Sequence, residues 1–106
     1  MGREILPNRR LADTMSFNWA NGEHTITVGY YLPSKRPSEV FINLQSKTCG
    51  SELEAVARDG AILLSLAFQH GCDIETIRHS ISRTVQGEPR TVIGAVIDRM
   101  IKESKE

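Results

Sequence analysis

The sequence predicts an α+β domain in which a small antiparallel three-stranded meander is followed by three helices packed on one face. Three observations predict it. Asn21-Gly22 separates two runs of alternating polarity, "VFINL" repeats that alternation, and beyond Ser51 the apolar residues recur at intervals of three and four. Strands first and helices after is the order of an α+β domain rather than of parallel βαβ units.

In "TMSFNWANGEHTITVGYY", Asn-Gly between alternating runs favours a type I′ hairpin turn, because both central positions need positive φ. A two-residue Asn21-Gly22 loop would put Trp19 opposite His24, Phe17 opposite Ile26 and Met15 opposite Val28. All the large apolar side chains then share one face, and Ser16, Asn18, Thr25 and Thr27 take the wet one. After the loop "LPSKRPSE", Val40, Ile42 and Leu44 form one face of a third strand.

Ser51 and Glu54 have the spacing of a capping box, and Gly71 supplies a left-handed stop, which frames a first helix. Its Leu53, Val56, Ala57, Leu63, Leu64, Ala67 and Phe68 form a stripe that Ile62 and Leu66 widen, so a central position is expected. Gly60 within it would let another element approach closely. Asp73 is placed to cap a second helix with Ile74, Ile77 and Ile81 on its buried side. Thr91 is placed to cap a third, whose Val92, Ile93, Val96, Ile97, Met100 and Ile101 cover a broad face. "SRTVQGEP" links these two helices. Residues 1–12 read as a flexible arm, 13–103 as one domain and 104–106 as a tail.

A chain of 106 residues suffices for a single core. Thirteen basic and thirteen acidic side chains balance, so no long-range field draws the protein to nucleic acid or to an anionic membrane. The aromatic residues Phe17 and Trp19 belong to the core-facing set, which leaves the polar sheet face without a base-stacking platform. No apolar run approaches the roughly 20 residues of a membrane span, and "MGREILPNRRLAD" is polar and broken by Pro7. With only two cysteines, a cytoplasmic setting with reduced thiols is expected.

Two clusters are candidate sites. His70, Cys72 and His79 in "QHGCDIETIRH" bear metal-ligand side chains, but no CxxC or HxxxH pair occurs and His79 lies about 170° round its helix from the isoleucine stripe. A junction between two helices is the simpler reading, with His70 in the last helical turn beside the carbonyl end. Cys49 and Cys72 bracket the first helix and so stand about 30 Å apart, too far to bond or to share a metal. Lys47, Thr48, Cys49, Gly50 and Ser51 in "KTCGSE" open that helix, where free amides would hold an anion or nucleotide phosphate. The P-loop and dinucleotide signatures are absent from this stretch. Cys49 beside Lys47 would favour the thiolate, but no histidine follows nearby to act as base, and a structural cysteine is the simpler account.

"EVFINLQSKTCGSELEAVARDGAILLSLAFQHGCDIETIRHSI", continued by "TVIGAVIDRM", resembles the TSCPD domain found near the C-terminus of cobalamin-dependent (class II) ribonucleotide reductases and as small stand-alone bacterial proteins. The resemblance spans roughly Met15 to Met100 and implies an association with nucleotide metabolism, with a ribonucleotide reductase or a nucleotide as partner. Those reductases need a large barrel, a cobalamin site and several cysteines. Neither the Thr-Ser-Cys-Pro-Asp stretch nor a cysteine-rich tail occurs here, so no catalytic residue and no cofactor carry over. The expectation is a non-catalytic accessory or interaction domain that self-associates, a dimer being favoured because three strands and three helices leave apolar area uncovered. The alternative is a nucleotide- or phosphate-sensing module built on residues 47–51.

Overall fold

The structure, a computed structural model, describes residues 2–8, 11–19, 22–44 and 52–104. Strands β1 (Ala12–Trp19), β2 (Gly22–Tyr31) and β3 (Arg36–Asn43) form one antiparallel sheet in the order β1-β2-β3. Helices α1 (Glu52–Gln69), α2 (Ile74–Ser80) and α3 (Val92–Ser104) follow, which gives the expected α+β fold.

The hairpin keeps its expected faces but not its expected register. Trp19 pairs with Gly22, Phe17 with His24 and Met15 with Ile26, two residues away from the pairing that an Asn21-Gly22 turn would set. Gly22 is a strand residue here. Because side chains alternate with period two, an even shift leaves every residue on its own face. Phe17, His24, Ile26 and Val28 are buried, and on the opposite face the hydroxyls of Thr14 and Thr27 meet at 3.1 Å. The shifted register packs the His24 ring against Phe17, with centroids 5.6 Å apart, and brings His24 Nε2 within 3.2 Å of the Trp19 carbonyl oxygen.

β3 begins at Arg36, inside the segment expected to be loop. Gly29 pairs with Glu39 and Tyr30 with Pro37, so Ser38 is the extra residue of a β-bulge. A bulge on an edge strand is where a proline, lacking an N–H, costs the ladder least.

α1 is not the central helix that its apolar content implies. It buries a narrow stripe of Ala57, Ala61, Leu64 and Phe68, whereas Leu53, Val56, Ile62 and Leu63 remain 48 to 68% exposed. The sheet is too small to surround it: α1 packs along β3, and α3 lies across β1, where the Arg99 guanidinium donates to the Ser16 carbonyl at 2.8 Å. α3 supplies Val92, Val96, Ile97, Met100 and Ile101 to the shared core. At Gly60 the two helices touch, and a Cβ there would fall 2.7 Å from Ile93 Cγ1, which accounts for the glycine.

The helix ends follow local chemistry. Gly71, at φ 90°, lets Cys72 N–H reach the Ala67 carbonyl at 2.9 Å and Gly71 N–H reach that of Phe68 at 3.0 Å, the paired bonds of a Schellman cap. His70 therefore belongs to this cap rather than to the last turn of α1, which ends at Gln69. Thr91 Oγ1 accepts the Gly94 N–H at 3.2 Å and caps α3 as expected. Asp73 occupies the N-cap position of α2 without a side-chain capping bond, its carbonyl alone receiving Ile77 N–H at 3.2 Å.

The link between α2 and α3 is an ordered turn. Thr84 N–H bonds the Glu88 carbonyl at 2.8 Å, Gly87 N–H returns to Thr84 at 2.9 Å, and Arg83 bridges to Pro89. Arg83 fastens the turn to α3, its two terminal nitrogens holding the Asp98 carboxylate at 3.0 and 2.7 Å.

Candidate functional site

α1 does more than cover a face of the sheet, because its polar residues close the outer edge of β3. Ser65 Oγ accepts the Val40 N–H at 2.8 Å, and its one proton is shared between the carbonyl oxygens of Ala61 at 2.8 Å and Val40 at 3.2 Å. One turn on, buried Gln69 donates from Nε2 to the Ser38 carbonyl at 2.9 Å. An edge strand with unpaired amides invites pairing with another chain, and a helix laid along it removes that hazard.

Outside this seam lies a groove of about 380 Å³ whose walls are β3 and α1. Phe41, Ile42, Ile62 and Leu66 give it an apolar lining, which Arg3 and Arg58 share, with Glu39 beside Gly29 on the β3 side. Phe41 is 59% exposed. Ile62, which lines the groove, is also exposed, as are Val56 and Leu63 elsewhere on α1.

The N-terminal segment docks at one end of this groove. Glu4 N–H donates to the Gln69 carbonyl at 2.7 Å, Arg3 Nε donates to Gln69 Oε1, and the Tyr31 hydroxyl donates to the Glu4 carbonyl at 3.0 Å. Arg36 ties the same corner together by donating to the Phe68 carbonyl at 2.6 Å, pairing with the Glu4 carboxylate and lying 4.8 Å over the Tyr31 ring. A cation there meets carbonyl groups at the end of α1, a favourable placement for its charge. Burial, and then the negative charge of Glu4, push the Tyr31 phenol above its ordinary value.

A second hollow, of about 620 Å³, opens between β1 and the end of α3. Its wall includes Tyr30, whose phenol is also raised, first by burial and then by the charge of Asp13 and a hydrogen bond to it. Lys35 and Glu103 complete a polar lining.

The residues singled out from sequence fare differently. Lys47, Thr48, Cys49, Gly50 and Ser51 lie outside the described residues, and with them the capping box of Ser51 and Glu54. His70 and His79 are exposed, and Cys72 is half-buried with its sulfur 4.0 Å from the Asp73 carbonyl. The three are not gathered into a ligand set, and among the described residues no group of three His, Cys, Asp or Glu side chains could hold a metal ion. Among the described residues no helix is long and apolar enough to cross a membrane. Arg3, Glu39, Arg58 and Ser65 were not singled out as site residues. Only Ser65 left a trace, as a polar residue inside the most apolar part of α1.

Comparison with known proteins adds the lineage. The family model described as the TSCPD domain matches residues 5–105. A vitamin B12-dependent ribonucleotide reductase of Rhodopirellula baltica is 35% identical over 82 residues, which make up 77% of this chain and 8% of that protein. The chain thus spans under a tenth of the length of the relative it matches. No solved structure matches.

Proposed function

The chain belongs to the TSCPD domain family, and from that membership we propose that it is a non-catalytic, cytoplasmic interaction domain, related to the C-terminal domain of B12-dependent ribonucleotide reductases, that associates with itself. The observation that carries this reading is the outer side of α1. Leu53, Val56, Ile62 and Leu63 are each about half exposed or more on one helix, and Phe41 extends the surface across the groove. Exposed apolar side chains gathered on one helix of a small domain mark an interaction surface, and a two-fold pair is the commonest way to bury one.

Native mass compared with denatured mass tests the reading. A multiple of the 11.8 kDa chain with no excess supports it, and a single chain at micromolar concentration overturns it. A second reading rests on Arg3 and Arg58 in the lining of a largely apolar groove, a combination suited to a nucleotide's base and phosphate. Thermal shift against a nucleotide panel tests this one. A ligand at 100 times its Kd stabilises by about 2.7 kcal/mol, whereas an unchanged melting temperature across the panel removes the reading.

A further inference from the structure

Resting on the self-association just proposed, we infer that the partner is a second copy of this chain docked through α1 in antiparallel, two-fold fashion. The axis passes near Ala61, and Glu52 of each copy faces His70 of the other.

Glu52 and His70 are 18 residues apart, which at 3.6 residues per turn is five full turns, so both sit on one face of α1 and its cap. Between them, at about 100° per residue, Leu63 lies about 20° from the line joining them, Val56 and Leu66 about 40° and Ile62 about 80°, and all but half-buried Leu66 are exposed. The face is therefore largely apolar apart from Asp59, with an acid at its N-terminal end and an imidazole at its C-terminal end. Glu52 and His70 each lie nine residues from Ala61.

Charge decides the orientation. Parallel pairing would set Glu52 against Glu52 and align the two helix dipoles side by side. Antiparallel pairing about Ala61 sets acid against imidazole at both ends and opposes the dipoles. Because the contact is isologous, it closes at two copies and leaves no free patch to propagate. Val56 of one copy then falls level with Leu66 of the other, since 56 and 66 are equally far from 61.

Asp59 is the one charged side chain within this face, and two-fold symmetry brings both copies of it close to the axis. The pairing thus carries a built-in like-charge repulsion, which gives the proposal a signature in the opposite direction from damage to the fold. Removing this charge tightens the dimer.

Sedimentation equilibrium of the full chain near neutral pH tests the arrangement with wild type, Glu52→Lys, His70→Glu, the double variant and Asp59→Asn. All three positions are exposed, and circular dichroism checks that the fold is kept. Each single substitution is expected to raise the dimer Kd by about three- to tenfold, the range for an exposed charged contact altered at both ends. The double variant is expected to recover toward wild type, and Asp59→Asn to fall below it. A dimeric wild type whose double variant is no tighter than its singles, or whose Asp59→Asn is unchanged, overturns this pairing and leaves self-association standing. A wild type that stays monomeric overturns both.

Discussion

The Ser65 hydroxyl receives the Val40 N–H at 2.8 Å, so a helix side chain takes the place of the missing fourth strand. The same oxygen lies within reach of the Val40 carbonyl, and Gln69 repeats the device at Ser38. α1 is held against the sheet edge as well as its face, which leaves the opposite side of this helix as the surface available to a partner.

Ser65→Ala removes the acceptor and leaves the Val40 amide covered by the helix. A loss of about 1 to 3 kcal/mol is expected, the cost of a buried donor without a partner. Thermal denaturation checks it, each kcal/mol amounting to about 4 to 8 °C in a domain of this size.

Ser38, on the same seam, carries the opposite sign. It is fully buried and its Oγ has no partner among the described residues. Ser38→Ala removes a hydroxyl that had given up its water without compensation, so stability should be unchanged or raised by about 1 kcal/mol in a urea titration.

Gly60→Ala reverses the usual helix preference. Alanine is favoured over glycine in a helix by about 1 kcal/mol, but the added Cβ would meet Ile93 at 2.7 Å. A net loss is expected, turning into a gain once Ile93→Ala opens the space. The double-mutant cycle measures this coupling, which should be absent if the two helices do not touch there.

The phenols of Tyr30 and Tyr31, the chain's two tyrosines, are both raised above the ordinary value near 10, chiefly by withdrawal from water, Tyr31 being buried and Tyr30 half-buried. A raised folded-state value means that the unfolded chain ionises first. Their contribution to stability is complete below pH 10 and is lost as pH rises through the folded-state values. Phenolate absorbance of the folded protein should appear at higher pH than in 8 M urea, and coincident curves would contradict the burial of these phenols.

Arg83→Gln or Asp98→Asn should loosen the turn between α2 and α3, because the bidentate pair fastens the turn to the middle of α3. Limited proteolysis should then cut around Val85, which is 98% exposed at the tip, faster than in wild type.

The parts of the fold that were legible in the sequence are those set by period. The apolar face of the hairpin survived a two-residue register error because side chains alternate, and the Thr91 cap and the Gly71 stop follow from single residues in their local context. The parts that were not legible depend on residues far apart in the chain. Nothing near Arg83 announces Asp98, and nothing near Ser65 announces the edge of β3. The exposed side of α1 escaped for a different reason: apolar spacing fixes how wide a stripe is, but the size of the sheet fixes how much of it is covered. The anion-binding loop expected at residues 47–51 lies outside the described residues.

The outer face of α1 as the self-association surface is tested most directly by sedimentation of wild type beside Leu63→Asp, a position 68% exposed and therefore able to take a charge without loss of the fold. Wild type is expected at twice 11.8 kDa and the variant at a single chain, with equal melting temperatures at dilution below the dimer Kd. Equal masses for the two proteins, whether both single or both double, would contradict it.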